Sequence, residues 1–208
     1  MFTNIPERIA ARMRWLKAFN AGELEVKPPP PGSIWPIHED AARLIAIIAA
    51  GAPDGLCVEI GSGGGYSGLW LALAMRERLA SGKCAPESCV LHTFELDEAR
   101  AALSRETYAV AGIEDVISPN VGDAAKGLEA YEGIAFAFLD SNKKDYANYF
   151  DLLVQKLVTG GIIAADNAIS HRNEMLDFLE KAAVDARVDA ITIPLGQGVF
   201  VIRRCASK

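Results

Sequence analysis

Asp140 and Asp166 each close a short apolar run, in "FLDSNKKDY" and "IIAADNAIS", and Asn167 follows the second. Taken singly, an aspartate in such a place is a helix cap. At the ends of neighbouring strands, the two would lie within about 5 Å of each other at the backbone. Two carboxylates and an amide oxygen would then converge beyond the carboxyl ends of a parallel sheet, where open sheets bind ligands. An all-oxygen set suits Mg²⁺ or Ca²⁺ better than zinc. Lys143 and Lys144 stand just past Asp140. A lysine beside a metal is a candidate general base; a solvated surface lysine is the plain alternative.

A second set of residues could hold a nucleotide-like ligand. "VEIGSGGGYSG" runs from Val58 to Gly68, off one apolar run and into a helical stretch. Gly61, Gly63, Gly64 and Gly65 allow positive φ and close approach of a ligand to the backbone. The helix that follows offers free N–H groups to an anion. Gly63, Gly65 and Gly68 satisfy G-x-G-x-x-G literally, a weak signal alone, because a tight strand-to-helix turn also wants glycine. Glu95, in "FELDEAR", ends the next apolar run and is placed to accept the hydroxyl hydrogens of a ribose. It lies about thirty residues past the glycines, where a dinucleotide site expects about twenty; the loop "SGKCAPES" accounts for the excess. Asp97 is the competing acid, better read as the cap of the next helix. In "VGDAAKG", Asp123 or the backbone at Ala124 could meet an adenine amino group, and Asp123 is equally a helix cap.

These residues need a frame. "LCVEIG", "CVLHTFEL", "DVISPN", "IAFAFLD" and "GIIAAD" are apolar runs suited to strands buried on both faces. Helical patterns lie between them at Tyr66–Leu79, Asp97–Ala111, Ala124–Ala130 and Asp145–Val158, the last stopped by "TGG". A further helix is expected from about Arg172 to Ala186. After it, "VDAITIPLGQGVFVIRR" gives two β-rich runs joined by a glycine turn, so they should pair antiparallel. The expectation is an α/β protein with a mostly parallel seven-stranded sheet, helices on both faces and a closing antiparallel hairpin. That ending counts against an NAD-dependent oxidoreductase, where strand–helix alternation continues.

The 208 residues fit one domain with short additions: residues 1–36 as an N-terminal helix and proline-rich strap, residues 37–208 as the main domain. Ile5, Ile9, Met13 and Leu16 recur at helical spacing in a segment that packs on the core or on a second subunit. "VKPPPPGSIWP" reads as a stiff extended connector. A net charge of −6 without a basic run argues against nucleic acid. The longest apolar runs, such as Leu44 to Ala50, fall far below the ~20 residues of a membrane span, so a soluble protein with no membrane partner is expected. Cys84 and Cys89 could bridge a loop, but without a secretory signal all four cysteines read as reduced thiols in the cytoplasm.

With these segments in view, the chain from Ile37 to Arg204 resembles the metal-dependent small-molecule O-methyltransferases, the catechol and caffeoyl-CoA group with its bacterial relatives. The likeness rests on "VEIGSGGGYS", "FLDSNKKDYANYF…LVTGGIIAADN" and "IPLGQG", in that order. It implies a Rossmann-like class I methyltransferase fold, S-adenosylmethionine as cofactor, a divalent cation, a small hydroxylated acceptor and a homodimer. By resemblance, Glu59 to Ser67 is the cofactor loop, Ser62 included, with Gly61 and Gly65 against the ligand and Ser67 on the methionine carboxylate. Glu95 is similar to the ribose acid, and Ser141 falls at the adenine. Asp140, Asp166 and Asn167 match the metal ligands, Asp140 also standing near the cofactor's amino group, and Lys143 matches the catalytic lysine. The chain departs from the pattern at Asn142, at Gln197 (often Asp), and in a shortened segment, "AISHRNEM", after the Asp-Asn pair. His171 in that segment is a candidate for the acceptor pocket, but the favoured expectation is a helix-start histidine that faces solvent. A non-catalytic S-adenosylmethionine-binding protein is the remaining rival.

Overall fold

A computed structural model describes residues 2–24, 34–86 and 89–206. The proline run of the strap and residues 87–88 lie outside them. In chain order the elements are α1 (Glu7–Asn20), α2 (Glu39–Gly51), β1 (Leu56–Ile60), α3 (Tyr66–Ala80), β2 (Leu91–Glu95), α4 (Glu98–Ala111), β3 (Ile117–Val121) and α5 (Ala124–Leu128). Then come β4 (Ile134–Leu139), a 3₁₀ turn (Lys143–Asp145), α6 (Tyr146–Lys156), β5 (Leu157–Ala165), α7 (Leu176–Val184), β6 (Val188–Ile193) and β7 (Val199–Arg204).

The seven strands form one sheet in the order β3-β2-β1-β4-β5-β7-β6. The first five are parallel; β7 runs antiparallel to both β5 and β6. The expected sheet and closing hairpin are both present. All six residues of β4 are buried, as a central strand covered by helices on both faces requires. One face packs on α1, α2 and α3 through residues such as Leu16, Ile45 and Trp70. The other packs on α5, α6 and α7 through Leu128, Phe150 and Phe178. The strand order reverses at β1, between β2 and β4, which opens a crevice at their carboxyl ends.

Four expectations need correction. Helix α2 was read only as an apolar run; its start is capped by His38 Nδ1, which accepts from Asp40 N at 3.3 Å. The "TGG" is no helix stop. Helix α6 ends at Lys156 and β5 begins at once, with Gly160 at φ 79° where the β4–β5 register slips. Residues 172–175 are turn, so the following helix starts at Leu176. The cysteines are not all reduced: Cys84 and Cys89 form a disulfide, and Cys57 and Cys205 are free. Cys89 N donates to Ala85 O at 3.0 Å, a turn that accompanies the 5.5 Å separation of the two Cα atoms. The cysteines therefore no longer support a cytoplasmic assignment. Among the described residues no helix is long and apolar enough to cross a membrane.

Candidate active site

The crevice is a cavity of about 910 Å³. Both candidate ends open onto it: Gly61, Ser62, Ser67 and Glu95 at one, Asp140, Lys143, Asp166 and Asn167 at the other. Asp123, Ala124 and Ser141 also line it. Glu59 and Gly65 do not: Glu59 is fully buried on β1, and Gly65 faces Tyr108 on the underside of the loop.

At the glycine end, the fold from below dictates the loop's shape. Gly61 takes φ 95°, and any Cβ there would run into the backbone carbonyl of Asp140. A Cβ on Gly65 would stand 2.8 Å from Tyr108 Cε1, and one on Gly68 2.7 Å from Tyr108 Oη. Tyr108, on α4, thus fills the space that two of the fingerprint glycines leave. Thr107 Oγ1 donates to Gly64 O at 2.8 Å and accepts from Arg12 Nε at 3.1 Å, so α1 braces the same loop. Glu95 accepts from Gly63 N at 2.8 Å through one oxygen and from Asp97 N at 3.0 Å through the other. Each carboxylate oxygen keeps a second lone pair for a ligand. Asp97 and Asp123 cap α4 and α5, accepting from Arg100 N at 2.8 Å and Ala125 N at 2.9 Å. Glu59 is wholly buried with both oxygens unpartnered, and burial, reinforced by the charges of Asp140 and Glu95, pushes its carboxyl up to about 7.

At the acidic end, backbone bonds from Asp140 N to Ile60 O (2.9 Å) and from Asp166 N to Leu139 O (3.0 Å) set the two aspartates at adjoining strand tips. Lys143 Nζ donates to Asp140 Oδ1 at 3.0 Å and to Tyr146 Oη at 3.1 Å. Tyr146 Oη also accepts from Ser141 N at 3.2 Å and donates to Leu139 O at 3.1 Å. Burial raises both aspartates. Lys143 offsets part of the rise at Asp140, whereas the charge of Asp140 adds to it at Asp166, which reaches about 7. Asp166 Oδ1 is buried without a partner. Among the described residues no three acids, histidines or cysteines converge, and Asn167 lines the same rim as the two aspartates. Asn167 sits at φ 71°, a left-handed conformation that asparagine tolerates.

Several residues at the site were missed or misplaced by the sequence reading. His171 lines the cavity instead of facing solvent, because the turn after Asn167 folds back over the strand ends. Tyr146 holds the lysine; its place three residues after Lys143 was the available signal. Asn20 and Trp35 reach the cavity from the N-terminal segment. Trp35 is 66% exposed at φ 35°, with the Arg100 guanidinium 5.0 Å from its ring centroid.

A cleft at the switch point with a part-buried acid–lysine pair at its rim is the setting for the family assignment that comparison with known proteins supplies. The chain belongs to the O-methyltransferase family, whose sequence pattern matches residues 37–205. It is 28% identical to the caffeoyl-CoA O-methyltransferase of Stellaria longipes over 79% of this chain and 74% of that protein. It is 31% identical to the flavonoid 3',5'-methyltransferase of Vitis vinifera over 71% of this chain and 69% of the relative. In structure it resembles the SAH complex of an O-methyltransferase from Bacillus cereus, with TM-score 0.73 and 22% identity over 93% of this chain and 90% of the other. The resemblance read from the sequence is borne out, and the sheet is that of a class I methyltransferase. The oxidoreductase alternative falls with it.

Proposed function

We propose that this protein transfers the methyl group of S-adenosylmethionine to a hydroxyl of a small acceptor, with a divalent cation held by Asp140, Asp166 and Asn167. One observation carries the reading: the glycine loop with Glu95, and the acidic pair with Lys143, open onto one cavity. The cofactor's sulfonium supplies an already activated methyl group, so the protein has mainly to position and deprotonate. Glu95 accepts from the ribose hydroxyls with its remaining lone pairs, and Ser67 holds the methionine carboxylate. Asp123, or the backbone beside it, meets the adenine. Asp166 Oδ1, buried without a partner, fits a cation, as does an all-oxygen donor set. A bound cation would acidify the acceptor hydroxyl and fix its orientation. Lys143 Nζ, held between Asp140 and Tyr146, takes the hydroxyl proton as the oxygen–carbon bond forms and the carbon–sulfur bond breaks.

The test is a screen of hydroxylated acceptors with S-adenosylmethionine, with Mg²⁺ and with chelator, by mass spectrometry. Asp166→Ala should abolish metal-stimulated transfer. Lys143→Met should lower kcat by about 10²- to 10⁴-fold while leaving S-adenosylhomocysteine affinity within a few fold. Full activity in Asp166→Ala would remove the metal from the reading. No transfer to any acceptor, with S-adenosylhomocysteine still bound, would favour a non-catalytic binding protein.

A further inference from the structure

The closing "IPLGQG" turn carries a role of its own. Gly196 and Gly198 take φ 58° and 93°, and their missing side chains let the turn press against its neighbours. A Cβ on Gly196 would stand 2.8 Å from His38 Cβ, and one on Gly198 2.7 Å from Ile169 N. Between them the Gln197 carbonyl accepts from Ile169 N at 3.0 Å and Ser170 N at 3.1 Å, which fastens the turn to the segment after Asn167. Its side chain then reaches back: Gln197 Oε1 accepts from Asn167 Nδ2 at 2.8 Å and from Ser170 Oγ at 2.9 Å.

We propose that Gln197 is a positioning residue that selects which end of the Asn167 amide serves the cation, an inference that rests on the metal reading above. An amide presents an oxygen on one side and an NH₂ on the other, and only the oxygen can ligate a cation. With the Asn167 NH₂ committed to Gln197 Oε1, the Asn167 oxygen is left for the ion. The Ser170 hydroxyl proton goes to Gln197, so Ser170 Oγ accepts from His171 Nδ1, 2.9 Å away, and the same chain of bonds fixes the tautomer of a cavity-wall histidine. The reverse arrangement, with Gln197 Nε2 donating to Asn167 Oδ1, joins the same side chains but consumes the ligating oxygen. A carboxylate at position 197 accepts only, and permits the first arrangement alone.

The experiment titrates Mn²⁺ into wild type, Gln197→Leu and Gln197→Glu, following free Mn²⁺ by its EPR signal, with S-adenosylhomocysteine affinity measured in parallel by calorimetry. Outer contacts of this kind typically set metal affinity by about 10- to 100-fold. Gln197→Leu should weaken Mn²⁺ by that factor, Gln197→Glu should bind as tightly as wild type or tighter, and S-adenosylhomocysteine affinity should hold within about threefold in both. Equal Mn²⁺ affinity in wild type and Gln197→Leu overturns the role of Gln197 and leaves the metal reading standing. So does a Glu variant as weak as the Leu variant, or a parallel loss of S-adenosylhomocysteine affinity, which would mark general loosening. Wild type without saturable Mn²⁺ binding overturns the metal reading itself.

Discussion

Replacing Glu59 by Gln should make the protein more stable at neutral pH. Glu59 is 0% exposed on β1, neither oxygen has a partner, and its carboxyl titrates near 7 where an ordinary glutamate titrates at 4.5. Burial is the main cause; the hydroxyls of Ser67 and Thr93, close by, pull weakly the other way. The sign follows from proton counting. Between 4.5 and about 7 the native state holds a proton that the unfolded chain has released, so stability falls as pH rises through that window. Above it the full penalty stands, about 3 kcal/mol at ~1.4 kcal/mol per pH unit. Gln has no charge to desolvate and nearly the same shape. Urea unfolding of both proteins without cofactor, from about pH 5 to about pH 8, should show the stability advantage of Gln growing by about 2 to 3 kcal/mol. Asp166, pushed up to about 7 in the same way, weakens both proteins alike and cancels in the difference. Stability curves that run parallel across this range would refute the buried, proton-holding carboxyl.

Two further predictions concern the frame. Arg78 is fully buried, pairs with no acid among the described residues, and donates to the carbonyls of Ala49 (3.2 Å), Ala52 (2.8 Å) and Pro53 (2.8 Å), tying the end of α2 to α3. Arg78→Met keeps the stem but strands the carbonyls of Ala52 and Pro53, whereas Ala49 O still accepts from Ala52 N; at about 3 kcal/mol, calorimetry should find Tm lowered by about 6–12 °C, and a drop below about 2 °C contradicts it. Gly68→Ala should destabilise by about 1–3 kcal/mol through its clash with Tyr108. Because the nearest atom is Tyr108 Oη, at 2.7 Å, adding Tyr108→Phe should recover part of that loss, and strictly additive losses would argue against the contact.

What the sequence disclosed follows from which interactions are local. A strand buried on both faces must be apolar throughout, so Ile134–Leu139 stood out. Acids at strand tips stood out because each follows such a run, and the structure brings Asp140, Asp166 and Asn167 to one rim as expected. Helix α2 was hidden because its Leu44–Ala50 stretch is apolar at nearly every position, which masks a 3.6-residue period. The start of β5 was hidden because the glycines of "TGG" suit a bulge as well as a helix end. His171 was ranked as facing solvent, and Tyr146 was missed, for a different reason. Their place depends on how turns fold across strand ends, which no periodicity encodes.

The glycine fingerprint shows how a sound pattern can carry an incomplete cause. Its first glycine, Gly63, works on the ligand side by giving its N–H to Glu95. The other two, Gly65 and Gly68, face Tyr108 and would be needed even with the cavity empty. The loop is therefore shaped from beneath, by α4 and, through the Arg12–Thr107–Gly64 chain, by α1. Ile9, Met13 and Leu16 of α1 share one core with Trp70 and Tyr108, and Asn20 at its end reaches the cavity wall. An N-terminal helix thus braces the glycine loop and lines the cavity, and under the proposed function it would help to orient both substrates. A change in its packing should register at the glycine loop before it registers anywhere in the sheet.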